Sequence, residues 1–261
     1  MNFWKGFGLG FSSYSKAISF IFKNNLAWFF VFPLILNISL FWAGTSLISM
    51  LIDYLESFLN ESIGLNNAEF VGSEVLRTSI SWIMYILFKL LYIVAFAYIG
   101  GKIVIIFMSP IFSILSEKVD KIITGENYPF SAEQMMRDIV RGILIAFRNI
   151  IIEFGIIALL FVLAYIPAIG WLIDLLGTIF LFVVTSYFYG FSFMDYSNER
   201  KKRNISQSVK YIRKNMGVAI GNGSIFAFTL IIPFCGTFIA GFVSIVSVVA
   251  ATISMNKIDS N

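Results

Sequence analysis

Four stretches of this chain carry no charged residue: 24–52, 154–173, 175–194 and 215–256. A helix needs about 20 apolar residues, at about 1.5 Å each, to cross a hydrocarbon core of about 30 Å. Each stretch reaches or exceeds that length. The expected fold is therefore an all-α integral membrane protein.

Composition points the same way. With 58% hydrophobic and only 13% charged residues, a soluble fold would lack the charge to cover its core. There is no histidine and a single cysteine, Cys235. His-based acid–base chemistry, His or Cys metal sites and an intrachain disulfide are thereby excluded, and no enzymatic activity, metal or cofactor is expected. The pI of about 9.1 reflects cations beside apolar segments, where they fix orientation against a bilayer. No basic domain exists to carry nucleic acid. The N-terminus does not read as a cleaved signal peptide, because the first strongly apolar segment begins only near Leu26 and is too long for one.

Basic residues set the expected topology. Lys5, Lys16 and Lys23 precede the first span, whereas 53–77 holds five acids and one arginine. Basic residues recur in 117–153 and 199–214. Positive charge stays cytoplasmic, so both termini should lie inside. The expected order is a cytoplasmic segment 1–25, two spanning helices in 26–108 with an outer loop 53–77, and a cytoplasmic connector with an interfacial helix in 109–153. A hairpin 154–194, a basic segment 199–214 and a second hairpin 215–256 complete it. Pro33 is expected to kink the first span, and Gly100-Gly101 to allow a bend or close contact in the second.

The later blocks differ in kind. Only about 20 Å of helix fits between Glu153 and Pro167, and about 27 Å between Lys214 and Pro233. Their tips repeat a pattern, Ile166-Pro167-Ala168-Ile169-Gly170 and Ile232-Pro233-Phe234-Cys235-Gly236. Pro167, Gly170, Pro233 and Gly236 thus mark turns of helical hairpins, either re-entrant or fully spanning; interrupted segments at matching positions often mark transport sites. In the connector, Pro129, Ser131 and Gln134 form a capping-box pattern. The helix it opens carries Arg137, Arg141 and Arg148, expected among lipid phosphates.

Several motifs in order resemble one family. SPIFSILSEKVDKIITGE (109–126), IPAIG (166–170), MDYSNERKKRNISQSVKYIRK (194–214) and the series GNG (221–223), IIP (231–233) and AAT (250–252) are similar to the CysZ-type sulfate permeases and the wider etoposide-induced protein family. The resemblance implies a bacterial inner-membrane protein, multi-pass and homo-oligomeric, that moves sulfate or a similar oxyanion into the cell. The eukaryotic side of the family offers the competing reading, a non-transporting membrane-organising or interaction protein. The sulfate permeases carry an arginine pair just ahead of the first span, where this chain has Ala27-Trp28.

Candidate anion-binding residues are therefore Lys23, Asn24, Asn25 and Leu26, at the start of the first span, where free N–H groups and the helix dipole favour an anion. Asn24 or Asn25 could equally be a plain N-cap. Lys89 is the remaining candidate, as the cation of an anion path, as a partner of Glu153 or Asp174, or as a residue snorkelling to the interface. The cluster Arg200 to Arg203 reads as a topology signal, with Asp195 capping or pairing with Arg200 or Arg203. Gly221 and Gly223 read as helix-packing positions.

Overall fold

The computed structural model describes residues 1–63, 73–126, 132–166, 169–232 and 235–260. Its regular elements are α1 (Phe3–Lys23), a short 3-10 turn (Ala27–Phe30), α2 (Val31–Ile63), α3 (Ser73–Thr124), α4 (Ala132–Ala164), α5 (Gly170–Arg200), α6 (Ile205–Lys214), α7 (Met216–Leu230) and α8 (Gly236–Asp259). Four helical segments are long and apolar enough to cross a bilayer: Ala27–Leu55, Val140–Ala164, Gly170–Arg200 and Gly236–Asp259. The fold is that of an all-helical membrane protein.

The spans are not equivalent. In the most apolar window of α8, 67% of residues are buried by protein, against 11% for the first span. Large apolar side chains such as Trp42, Leu47, Ile83, Leu87, Leu159 and Leu176 are exposed on α2 to α5. An outer surface this apolar is matched to lipid rather than water.

Small residues set the centre. Positions 217, 219, 221 and 223 of α7 face two neighbours in turn, α1 and α5. Gly217 and Gly221 lie against the Phe3 and Phe7 carbonyls of α1, while Gly223 lies against Ser186 of α5, and Gly190 of α5 against Ala219. A Cβ at any of these glycines would collide with a carbonyl oxygen, so the helices can approach this closely only without one. The sequence expectation for Gly221 and Gly223 holds. Around this contact Phe193 packs edge-on against Phe112 at 6.0 Å and Phe226 at 5.2 Å.

Residues 1–25, expected as a separate segment ahead of the spans, are built into the bundle. The buried positions Gly6, Gly10, Ser13, Tyr14, Ala17 and Ile21 form one helical stripe, and α1 inserts it between α7 and α8. Tyr14 Oη is 2.6 Å from both the Asn222 carbonyl oxygen and Ser247 Oγ, and Ser254 Oγ donates to Ser13 Oγ at 2.9 Å.

Three boundaries depart from the sequence expectations. Pro33 falls in the first turn of α2, where a missing N–H interrupts no helical bond, so it is not an interior break. The proline inside a helix is Pro110, for α3 runs unbroken to Thr124, about 78 Å at helical rise. Pro110 cannot bond the Ile106 carbonyl, and the Ser109 hydroxyl donates to that oxygen instead at 2.8 Å. Likewise α4 does not stop at Glu153: interfacial helix and first hairpin arm are one helix, Ala132–Ala164, because Glu153 turns inward and is buried. The capping-box residues Pro129 and Ser131 lie outside the described residues.

The two hairpin tips are built alike. Gly170 N–H donates to the Ile166 carbonyl at 2.9 Å, and Gly236 N–H to the Ile232 carbonyl at 3.0 Å. Before each turn the same pair of bonds recurs, Tyr165 to Val162 and Ile166 to Leu163 in one, Ile231 to Phe228 and Ile232 to Thr229 in the other. Pro167, Ala168, Pro233 and Phe234 lie outside the described residues, but the residues flanking them close both tips by one geometry.

Candidate functional site

The start of the first span is shaped by the end of α1. Asn24 closes that helix, its Nδ2 donating to the Phe20 carbonyl at 2.8 Å. Asn25 follows at φ +54°, and Leu26 N–H donates back to the Ile21 carbonyl at 2.9 Å. This is a Schellman closure, with Asn in the left-handed position that usually takes Gly. Asn24 and Asn25 thus cap the C-terminus of α1, and the N-cap reading is corrected: the sequence hid a complete helix ahead of them. Lys23 is exposed in the last turn of α1, and Leu26 is buried.

Leu26 also leads the 3-10 turn Ala27–Phe30, with no side-chain cap. The first bond into the turn comes from Phe29 N–H, to the Leu26 carbonyl at 3.1 Å. The leading N–H groups of such a turn carry its partial positive charge. A cation stands beside it: Lys118 Nζ of α3 lies 4.9 Å from the Trp28 ring centroid and 5.4 Å from that of Phe29. Sequence reasoning missed Lys118, because only the return of α3 beside the turn brings the two together.

Lys89 is elsewhere. It lies on the same α3, about 43 Å of helix from Lys118, is exposed, and donates to Tyr85 Oη at 2.9 Å. It does not join the candidates around Leu26. Pairing with Glu153 or Asp174 is not found; Glu153 Oε1 accepts from Thr185 Oγ1 at 2.6 Å across the α4–α5 hairpin.

The basic end of the bundle is tied internally. Arg141 donates through Nε and Nη2 to Asp195 at 2.7 and 2.8 Å, and through Nη1 to the Arg203 carbonyl at 2.7 Å. Asp195 therefore pairs with Arg141 rather than with Arg200 or Arg203, and Arg141 is not a lipid contact. Arg200 instead reaches Asp120 at 3.3 Å and Ser116 at 2.8 Å, and Asp120 accepts from Asn256 at 2.6 Å. Lys201, Arg203 and Tyr211 converge on Asp259. Burial, helped by the bond to Asp259, pushes the Tyr211 phenol up to about 12. Arg200, Lys201 and Arg203 therefore lock helix ends together, a role that spacing alone could not reveal.

A lipid-facing helical bundle with a buried small-residue centre and two like-built Pro–Gly hairpin tips defines a polytopic membrane protein. Residues 13–240 match the sulfate transporter CysZ/etoposide-induced protein 2.4 family, and the chain belongs to that family. It is similar to the sulfate transporter CysZ of Vibrio cholerae serotype O1, 26% identical over 234 residues that cover 88% of this chain and 87% of that protein. The sulfate transporter CysZ of Vibrio parahaemolyticus serotype O3:K6 is 26% identical over 230 residues, 86% of each chain.

Proposed function

We propose that the protein takes up sulfate, or an oxyanion of the same charge, across the bacterial inner membrane, as a homo-oligomer with both termini in the cytoplasm. Membership of a family with sulfate transporters at comparable length carries this reading. The start of the first span supports it locally. The uncapped turn after Leu26 offers backbone donors, and Lys118 supplies positive charge over Trp28, where the resembled permeases place arginines. Lys23 adds a second exposed cation to that approach.

The short α7 supports a re-entrant second hairpin: its 15 residues give about 22 Å of helix, less than a hydrocarbon core, and the tip that follows exposes Ile231 and Ile232, whereas both arms of the first hairpin are long enough to cross. The second reading, a non-transporting membrane-organising protein, is favoured by Ala27-Trp28 at the arginine positions.

Uptake of radiolabelled sulfate into proteoliposomes, with phosphate and chloride as competitors, decides between them. Saturable uptake that chloride fails to block is the expected result, and the effect of phosphate tells sulfate selectivity from acceptance of any dianionic oxyanion. Absence of sulfate-dependent uptake or binding would give the lead to the second reading.

A further inference from the structure

Arg148 lies inside a span and has no acid beside it. It stands about 12 Å of helix beyond the start of the apolar segment Val140–Ala164. Its guanidinium carbon is 5.9 Å from the Phe191 ring centroid, and its Nη1 is buried with no hydrogen-bond partner among the described residues. The buried carboxylates of the same two helices are engaged by other groups, Asp195 by Arg141 and Ser208, Glu153 by Thr185. An arginine at this depth needs a counter-charge, and a guanidinium donor left over asks for an anion.

A second arginine and a hydroxyl stand near it. Arg213 is exposed in the last turn of α6, and its charge and that of Arg148 both act on the Tyr187 hydroxyl of α5. Tyr187 packs its ring against Phe191, the ring under Arg148. Gly190, between these two aromatics, lies against Ala219 of α7, which brings this part of α5 beside the start of α7 and the basic end of α6. Neither Arg213 nor the Tyr187 hydroxyl makes a hydrogen bond or ion pair with another described residue. The surface next to them is apolar. Leu144, Ile151 and Ile152 lie three or four residues from Arg148, on the same face of α4, and all are exposed.

We propose that Arg148, Arg213 and Tyr187 form a site for the phosphate of an anionic phospholipid, whose acyl chains run along Leu144, Ile151 and Ile152. A guanidinium fork fits two phosphate oxygens, and basic clefts between membrane helices take anionic headgroups. A free oxyanion would meet the charge and leave the apolar surface beside it unused; a phospholipid meets both. The bound lipid joins the first hairpin to the basic end of α6. The site does not rest on the sulfate-uptake reading.

Native mass spectrometry of the purified full chain provides the test, with phosphatidylglycerol and zwitterionic phosphatidylcholine of the same acyl chains as probes. Phosphatidylglycerol should bind saturably, and phosphatidylcholine should not displace it. Arg148→Met and Arg213→Met should each weaken that binding about tenfold. Lys202→Met removes an exposed charge between α5 and α6 and should leave it unchanged. Thermal unfolding without lipid shows whether each variant is folded, and the comparison of the two lipids on the wild-type protein needs no variant. Equal retention of the two lipids would reduce the site to an apolar surface and overturn the proposal. Wild-type phosphatidylglycerol affinity in a folded Arg148→Met protein would overturn it too. Displacement of phosphatidylglycerol by inorganic phosphate or sulfate would make the occupant a free oxyanion, and would overturn the lipid assignment.

Discussion

Arg141 on α4 holds Asp195 on α5 by a two-pronged contact, Nε to Oδ2 at 2.7 Å and Nη2 to Oδ1 at 2.8 Å, with Ser208 of α6 donating to the same carboxylate at 2.5 Å. The side chains of the ion pair are 13% and 8% exposed. Three helices thus meet on one carboxylate, at the end of the bundle where the basic residues gather. Removing one partner from such a pair strands the other. Asp195→Asn should cost about 3 kcal/mol of unfolding free energy, read by thermal unfolding of the purified protein, and the double replacement Arg141→Met with Asp195→Leu should recover most of that loss. A single variant as stable as wild type would show that the pair does not hold the bundle.

Helix approach gives a sharper contrast. A Cβ at Gly190 would strike the Ala219 carbonyl, while a Cβ at Gly8 meets nothing within 4 Å. Gly190→Ala should therefore destabilise by about 1–3 kcal/mol through overpacking, and Gly8→Ala should be neutral or stabilising by up to about 1 kcal/mol through helix propensity. Equal effects at the two positions would contradict the packing of α7 against α5.

Orientation can be read chemically. In a Cys235→Ser background, a cysteine at exposed Ser57, beyond the first span, should react with an impermeant thiol reagent applied to intact cells, and one at exposed Lys202 should not. Labelling at position 202 from outside would reverse the topology.

Anion recognition separates the two lysines of α3. Lys118→Met should weaken sulfate binding about tenfold or more, because a desolvated dianion needs a nearby charge. Lys89→Met should leave it unchanged, since Lys89 is bonded to Tyr85 about 43 Å of helix away. Replacing Ala27 and Trp28 with arginine should tighten binding. Isothermal titration or scintillation-proximity binding measures all three, and a loss at Lys89 equal to that at Lys118 would contradict the placement of the site.

Membrane residence, helical class and the paired hairpin tips were legible in the chain itself, because they depend on local quantities. A long charge-free run has one stable solution in lipid, and Ile-Pro-x-x-Gly closes a turn by bonds between residues four apart. Charge was legible only as a sum. Glu153 looked like the edge of a polar connector, yet it is buried within a continuous α4 because Thr185 of α5 meets it. Arg200, Arg141 and Lys201 looked like an orientation signal, yet each finds an acid that the fold brings from another helix. Asn24 and Asn25 looked like the opening of a helix and in fact close one, since only the packing of Gly6 and Gly10 against α7 makes residues 3–23 a helix that needs closing. Sequence spacing reports neighbours along one helix, and the partners that decide a buried charge or a close approach come from another.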